Sequence, residues 1–166
     1  MKNLKEKGFG IIEVLLVSAI MATVFLGIMN YLNSYSKLTA INKMETEALY
    51  HARSSLEQAR AVRDENSGTD YIYGWNILDG LDFAPTSHYN FQLSGSSWIP
   101  VVGDKIIDRY TIWITLDPVY RDVNDDIDLV GGVLDNNSMK VISHVSFFSR
   151  GETKEIILFE YLTNFK

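Results

Sequence analysis

The feature that most limits how this chain can fold is an apolar stretch from Phe9 to Met29, FGIIEVLLVSAIMATVFLGIM, in which Glu13 is the single charged residue. A helix of these 21 residues is about 30 Å long, which matches the hydrocarbon core of a bilayer. Three lysines lie among residues 2–7, and the positive-inside rule places this basic end in the cytoplasm. A cleavable secretory signal is shorter and ends at a small-residue site, which this stretch lacks. The pattern therefore predicts a single-pass span with the lipid bilayer as a partner and the remaining chain outside.

Composition argues against several classes of function. The formal net charge is −6 and the basic residues form no run, which disfavours nucleic acid as the main partner. Absence of cysteine excludes disulfides, thiolate metal sites and cysteine nucleophiles. The three histidines lack the spacing of a metal triad, and the sequence contains no phosphate-binding loop or nucleophile elbow. We therefore expect a non-enzymatic protein without a cofactor.

Glu13 is the informative residue within the span. An ionised carboxylate in lipid costs several kcal/mol, so it is rare and is usually functional. One interpretation is that Glu13 lies near the membrane face and extends towards the headgroups. The other is that it meets a cationic partner when the helix packs against a second copy. The residues alone leave both interpretations open.

The segment KEKGFGIIEVLLVSAIMATVF resembles the prepilin-type (class III) leader and N-terminal region of type IV pilins and pseudopilins. The resemblance implies that a prepilin peptidase cleaves between Gly8 and Phe9 and methylates the new amino terminus of Phe9. Glu13 is then the fifth mature residue, and its carboxylate would pair with the Phe9 amine of a neighbouring subunit. Other pilin or pseudopilin subunits and an inner-membrane assembly platform are the further implied partners. Two departures are Gly10, where Thr is commoner, and Asn30, where many major pilins have Pro; the second favours a pseudopilin or a minor subunit.

A second helical pattern follows the span. From Ser34 to Arg63 the apolar residues recur at steps of three and four, which indicates one buried helical face. Glu57 lies three residues before Arg60, a spacing that predicts a surface ion pair. We expect the helix to end within Asp64–Gly68. The apolar positions are Leu38, Ile41, Met44, Ala48, Leu49, Ala52, Leu56, Ala59 and Val62.

Three β-strand patterns lie near the C-terminus. Tyr110, Ile112, Ile114 and Leu116 alternate with polar or amphipathic residues. Residues 141–148 and 155–162 are two further β-rich runs, and the residues between them, Ser149-Arg150-Gly151-Glu152, predict a hairpin turn. The ending EIILFEYLTNFK and the helical segment ALYHARSSLEQARAVRDEN also resemble pilin-like proteins. These elements predict an α+β fold: a long N-terminal helix packed on a small antiparallel sheet.

The predicted organisation is a leader at residues 1–8, a transmembrane or filament-core helix at 9–32, and a periplasmic or extracellular head at 33–166. Within the head, we expect an amphipathic helix to about residue 64, a loop-rich connector at 65–104 with one or two short strands, and the sheet at 105–166. Seven aromatic residues occupy 69–103. They are interpreted as packing the connector onto the domain, and a carbohydrate site is the alternative.

An acidic segment separates the first two strand patterns. Asp122, Asn124, Asp126 and Asp128 alternate with the oxygen-ligand spacing that begins a calcium loop. The pattern is incomplete, because Ile127 replaces the glycine and Val133 the glutamate of an EF-hand. These four residues are a weak candidate for calcium, and an acidic, solvated hairpin tip is the alternative.

Together these observations predict a structural subunit of a type IV pilus or of a related type II secretion or competence pseudopilus. The expected location is the bacterial cytoplasmic (inner) membrane, and afterwards an extracytoplasmic filament. The alternative is a single-pass membrane-anchored binding module or enzyme that does not polymerise. Such a protein would keep its leader, and Glu13 would be dispensable.

Overall fold

The computed structural model describes residues 10–65, 75–128 and 131–164. It has an α+β fold with a long helix, α1 (Ile11–Asp64), a short helix, α2 (Trp75–Asp79), and an antiparallel sheet. The chain divides into two compact units, residues 1–43 and 44–166. The strands are β1 (Tyr89–Ser94), β2 (Ser97–Val102), β3 (Lys105–Ile107), β4 (Tyr110–Arg121), β5 (Ile127–Asp128), β6 (Val133–Ser149) and β7 (Glu152–Thr163).

The first unit contains the N-terminal part of α1. Its apolar side chains are exposed all around the helix, from Ile11 to Leu38. The most apolar 18-residue window has a mean hydropathy of 2.5, and none of it is buried. Among the residues that the structure describes, α1 is the one helix long and apolar enough to cross a membrane. The predicted cleavage residues, Gly8 and Phe9, lie outside the described residues.

The sheet of the second unit has the strand order β2-β1-β4-β6-β7, with β3 and β5 also paired to β4. It begins at Tyr89, whereas the sequence placed its start at residue 105. The two short strands expected in the connector, β1 and β2, form a hairpin that joins this sheet. The sequence of β1, YNFQLS, alternates apolar and polar residues, whereas that of β2, SWIPVV, does not. The pairing of Tyr89 with Ile114 and the packing of Tyr89 and Phe91 into the core show where the hairpin belongs.

Local signals placed several boundaries correctly. The helix ends at Asp64, within the predicted range. The turn between β6 and β7 consists of Arg150 and Gly151, with φ values of 55° and 87°. Positive φ at both positions suits the right-handed twist of a two-residue hairpin. The predicted hairpin is therefore confirmed.

The core of the second unit lies between α1 and one face of the sheet. Tyr110, Ile112, Ile114 and Leu116 are all buried, as their alternation predicted. On α1, three of the predicted core positions are alanines with no exposed surface, which lets the helix lie close to the strands. The buried core positions of α1 in this unit are Ala48, Ala52, Leu56, Ala59 and Val62.

The connector aromatics contribute to this core. Trp75, Tyr89 and Phe91 are buried, and Phe83 and Trp98 pack partly against them. The packing interpretation is confirmed for these five residues. The other two aromatics, Tyr71 and Tyr73, lie outside the described residues.

Candidate functional site

The N-terminal part of α1 presents an apolar surface with one carboxylate. Glu13 lies in the first turn of the helix, where the helix dipole favours a negative charge. Its neighbours Ile11 and Ile12 are each 81% exposed. Between Glu13 and Lys37, α1 contains no other charged residue. Such a surface requires lipid or other apolar helices around it, because a helix that is apolar on all sides is normally buried.

The hydroxyl groups in the apolar part of α1 are satisfied by the helix itself. The hydroxyl of Ser18 donates to the carbonyl oxygen of Leu15 at 2.8 Å, and that of Thr23 donates to the carbonyl oxygen of Ile20 at 2.8 Å. These bonds remove the cost of placing an unpaired hydroxyl in hydrocarbon. Glu13 is therefore the one residue between Ile11 and Met29 whose charge requires water or a partner in an apolar environment.

Two ion-pair groups tie α1 to β7. Arg60 lies between two carboxylates: its Nη1 is 2.7 Å from Glu57 Oε1 and its Nε is 2.6 Å from Glu160 Oε1. The predicted pair of Glu57 with Arg60 is confirmed. The hydrogen bond from Arg60 to Glu160 was not predictable, since the two residues are 100 positions apart. Nearer the start of the second unit, Lys154 donates to Glu45 at 2.7 Å.

The face of the sheet opposite α1 carries a stack of three rings. His88 and His144 stack on Trp113 with centroid distances of 5.0 and 5.1 Å. Because β4 lies between β1 and β6, the two imidazoles cover opposite faces of the indole. Each histidine Nδ1 also contacts a carboxylate, Asp104 at 2.6 Å and Glu155 at 2.7 Å. Neither face of Trp113 is left for stacking on a sugar ring.

His144 also joins Thr115, whose Oγ1 is 3.2 Å from His144 Nε2. The order Thr115, His144, Glu155 is that of a nucleophile, a base and an orienting carboxylate. However, Thr115 is only 4% exposed and lies in the middle of β4, where the backbone amides are used in the strand ladder. A substrate carbonyl would find neither an accessible hydroxyl nor a free pair of amide donors. The arrangement is best explained as a cross-strand polar network.

His88 and Asp104 also line a shallow, open cavity of about 480 Å³. The sequence does not predict this cavity or the ring stack, because their residues come from separate strands and loops with no common spacing. The cavity is lined by Thr86, Ser87, His88, Tyr89, Val102, Gly103 and Asp104.

The acidic segment forms a closed turn. Asp122 Oδ1 accepts hydrogen bonds from the backbone amides of Asn124 and Asp126 at 2.8 and 3.0 Å. These bonds hold the pKa of Asp122 below its ordinary value. Within the described part of the chain, no group of three or more His, Asp or Glu residues has an arrangement that would hold a metal ion. Calcium binding by Asp122, Asn124, Asp126 and Asp128 stays a prediction.

Beside this turn, Arg121 joins β4 to β6. Its Nε lies 2.6 Å from Asp135 Oδ2, and its Nη1 donates to the carbonyl oxygen of Asp125 at 2.7 Å. The hydrogen bond from Arg121, with a second from Ser138, lowers the pKa of Asp135. At this end of the sheet, β4 and β6 are therefore held together by the contacts of Arg121 and not by an apolar core.

No family model, curated protein or solved structure matches this chain significantly. Of the described regions, the exposed apolar part of α1 with Glu13 places the strongest physical requirement on its surroundings.

Proposed function

We propose that this chain is a structural subunit of a type IV pilus or of a related type II secretion or competence pseudopilus. In this proposal a prepilin peptidase removes residues 1–8 and methylates Phe9. The apolar part of α1 holds the subunit in the cytoplasmic membrane and then enters the helical core of the filament. The head formed by the second unit lies outside the membrane.

The observation that carries the proposal is the apolar surface of α1 with its lone carboxylate. Lipid satisfies the apolar side chains before assembly, and neighbouring helices would satisfy them in a filament. In either low-dielectric setting Glu13 requires water or a cationic partner, since an unpaired buried charge is strongly unfavourable. Cleavage after Gly8 would create an ammonium group at Phe9, and this group on an adjacent subunit could supply the cation.

The first experiment is to coexpress the full chain with a prepilin peptidase and to measure its intact mass. We expect loss of residues 1–8 and gain of one methyl group. A Gly8→Leu variant, expressed in parallel, should keep the mass of the uncleaved chain. An unchanged wild-type mass, with the peptidase active on a control substrate, would favour a membrane-anchored protein that does not polymerise.

Glu13 is tested next, in cells that contain the assembly machinery. We expect Glu13→Ala to be cleaved and to remain in the membrane, but to give at least about tenfold fewer sheared filaments, because the Phe9 amine loses its partner. Ser18→Ala is the matched control, since it removes a hydroxyl that bonds within its own helix. Equal filament yield from Glu13→Ala and wild type would remove the assigned role of Glu13.

A further inference from the structure

One end of the sheet exposes apolar side chains on both of its faces. This end, here called the acidic tip, comprises residues 119–128 and 131–135. Cross-strand pairing places Tyr120 beside Leu134 and Arg121 beside Val133, while Ile127 pairs with Arg121 from the other side. Val123 is 100% exposed and Val133 is 80% exposed. Tyr120, Ile127 and Leu134 are each 40–49% exposed. Contiguous exposed apolar side chains are the usual mark of an interaction surface.

The acidic tip is also strongly charged and locally ordered. Five aspartates and one arginine give residues 119–135 a net charge of −4. Three of these carboxylates have partners: Asp122 accepts from backbone amides, Asp135 pairs with Arg121, and Asp125 Oδ1 lies 3.7 Å from Arg121 Nε. The Asp125 side chain is 88% exposed. A partner surface must therefore combine apolar side chains with positive charge.

The same chain contains a segment with these properties. Between Val14 and Met44 there is no acidic residue, and Lys37 and Lys43 carry the only charges. The part of α1 from residue 30 to 43, here called the basic helix segment, therefore carries +2. It also exposes Tyr31, Tyr35 and Leu38, which are 68%, 59% and 52% exposed.

We propose that the acidic tip of one copy docks on the basic helix segment of a second copy. The inference rests on the proposed filament function, and it identifies a subunit contact made C-terminal to the apolar stretch that ends at Met29. Pairing of two acidic tips is disfavoured, because each carries −4. A contact between two different surfaces of identical chains either closes into a ring or propagates as an open helical array, and the open array is the outcome that fits a filament.

A photo-crosslinking experiment tests which surface meets the acidic tip. p-Benzoylphenylalanine replaces Val123 in the full chain, and the subunits are irradiated in sheared filaments. We expect an adduct with twice the subunit mass whose cross-linked peptide lies within residues 30–43. Val102, which is 80% exposed, is the control position and should give at least about fivefold less of this adduct. An adduct at another segment, an adduct with another protein, or no adduct from intact filaments would overturn the inference.

A charge exchange provides a second test. Asp125→Lys and Lys37→Glu should each reduce filament yield by about three- to tenfold, and the double variant should recover to within about twofold of wild type. Tryptophan fluorescence checks folding of the head, because all three tryptophans lie within residues 75–113. A double variant no better than the poorer single variant would overturn the inference. If wild-type filaments form and Asp125→Lys assembles normally, only the docking contact is wrong; if processed wild-type chains form no filaments, the proposed function fails.

Discussion

Individual side chains in the head respond to pH in opposite directions. Tyr110 is buried, and its hydroxyl lies 2.8 Å from Glu47 Oε2 and 3.2 Å from the carbonyl oxygen of Met44. Burial, together with the hydrogen bond to Glu47, raises the pKa of Tyr110 to about 12. Because this pKa exceeds the ordinary value of about 10, the stabilisation is complete below pH 10 and is lost as pH rises through 12.

Replacing Tyr110 with Phe tests this contribution. We expect the free energy of unfolding at pH 7 to fall by about 1–2 kcal/mol, since the hydrogen bonds to α1 are lost while the ring still packs. The variant should also lose less stability than wild type between pH 10 and 12. Urea unfolding of the detergent-solubilised chain, followed by tryptophan fluorescence, measures both. An identical pH dependence in the two proteins would contradict the assignment.

Asp135 contributes stability that is lost at low pH, in contrast to Tyr110. Arg121 and Ser138 lower its pKa, so the stabilisation is complete above the unfolded-state value of about 3.9 and is lost as pH falls through the folded-state value. We expect Asp135→Asn to unfold at lower urea concentration than wild type at pH 7, with the difference shrinking below pH 4. Asn136→Asp, at the neighbouring exposed position, is a control for a changed charge outside the contact with Arg121. If Asp135→Asn and wild type differ in unfolding urea concentration by the same amount from pH 7 to pH 3, the assigned ion pair of Asp135 with Arg121 is wrong.

At the scale of elements, the contact of α1 with the sheet depends on small side chains. Ala48, Ala52 and Ala59 have no exposed surface. Ser143, on the facing strand β6, is also fully buried and has an unpaired hydroxyl oxygen. Close approach of the helix backbone to the strands leaves no volume for larger residues here.

Ala52→Leu is therefore expected to lower the free energy of unfolding by about 1–3 kcal/mol through overpacking. Arg53→Leu is the matched control, since Arg53 is the next residue of α1 and is exposed; its effect should stay within about 0.5 kcal/mol. Urea unfolding measures both variants. Equal stability of the two variants would mean that α1 can shift without cost.

At the scale of the whole molecule, the apolar part of α1 is expected to decide where the chain resides. A charge in the middle of a span costs about 2.5–3.5 kcal/mol on insertion scales. We therefore expect Ile20→Arg to move a large fraction of the chain out of the carbonate-resistant membrane pellet. Ser36→Arg, beyond the predicted span at 9–32, should stay in the pellet like wild type. Full membrane retention of Ile20→Arg would show that another part of the chain holds it there.

Sequence patterns were informative wherever a structure depends on neighbouring residues. The three-and-four spacing of α1 identified its buried face from Ala48 to Val62, and strict alternation identified β4. Both patterns are local consequences of helix and strand geometry. The sequence did not predict that the hairpin of β1 and β2 joins the sheet. Its place there depends on a single ladder pair with β4, Tyr89 with Ile114, and on core packing.

The α+β class, the long apolar helix with its single carboxylate, and the C-terminal strands and turn could all be predicted from the order of the residues. Three features followed only from the folded chain: Arg60 joins Glu160, two histidines enclose Trp113, and five apolar residues of the acidic tip stay at least 40% exposed. The reason is the range of the forces involved. The spacing of apolar residues reflects helix and strand geometry, which involves residues close together in the chain. Packing between distant segments depends on which surfaces meet in the folded protein, and the local spacing of residues does not specify those contacts.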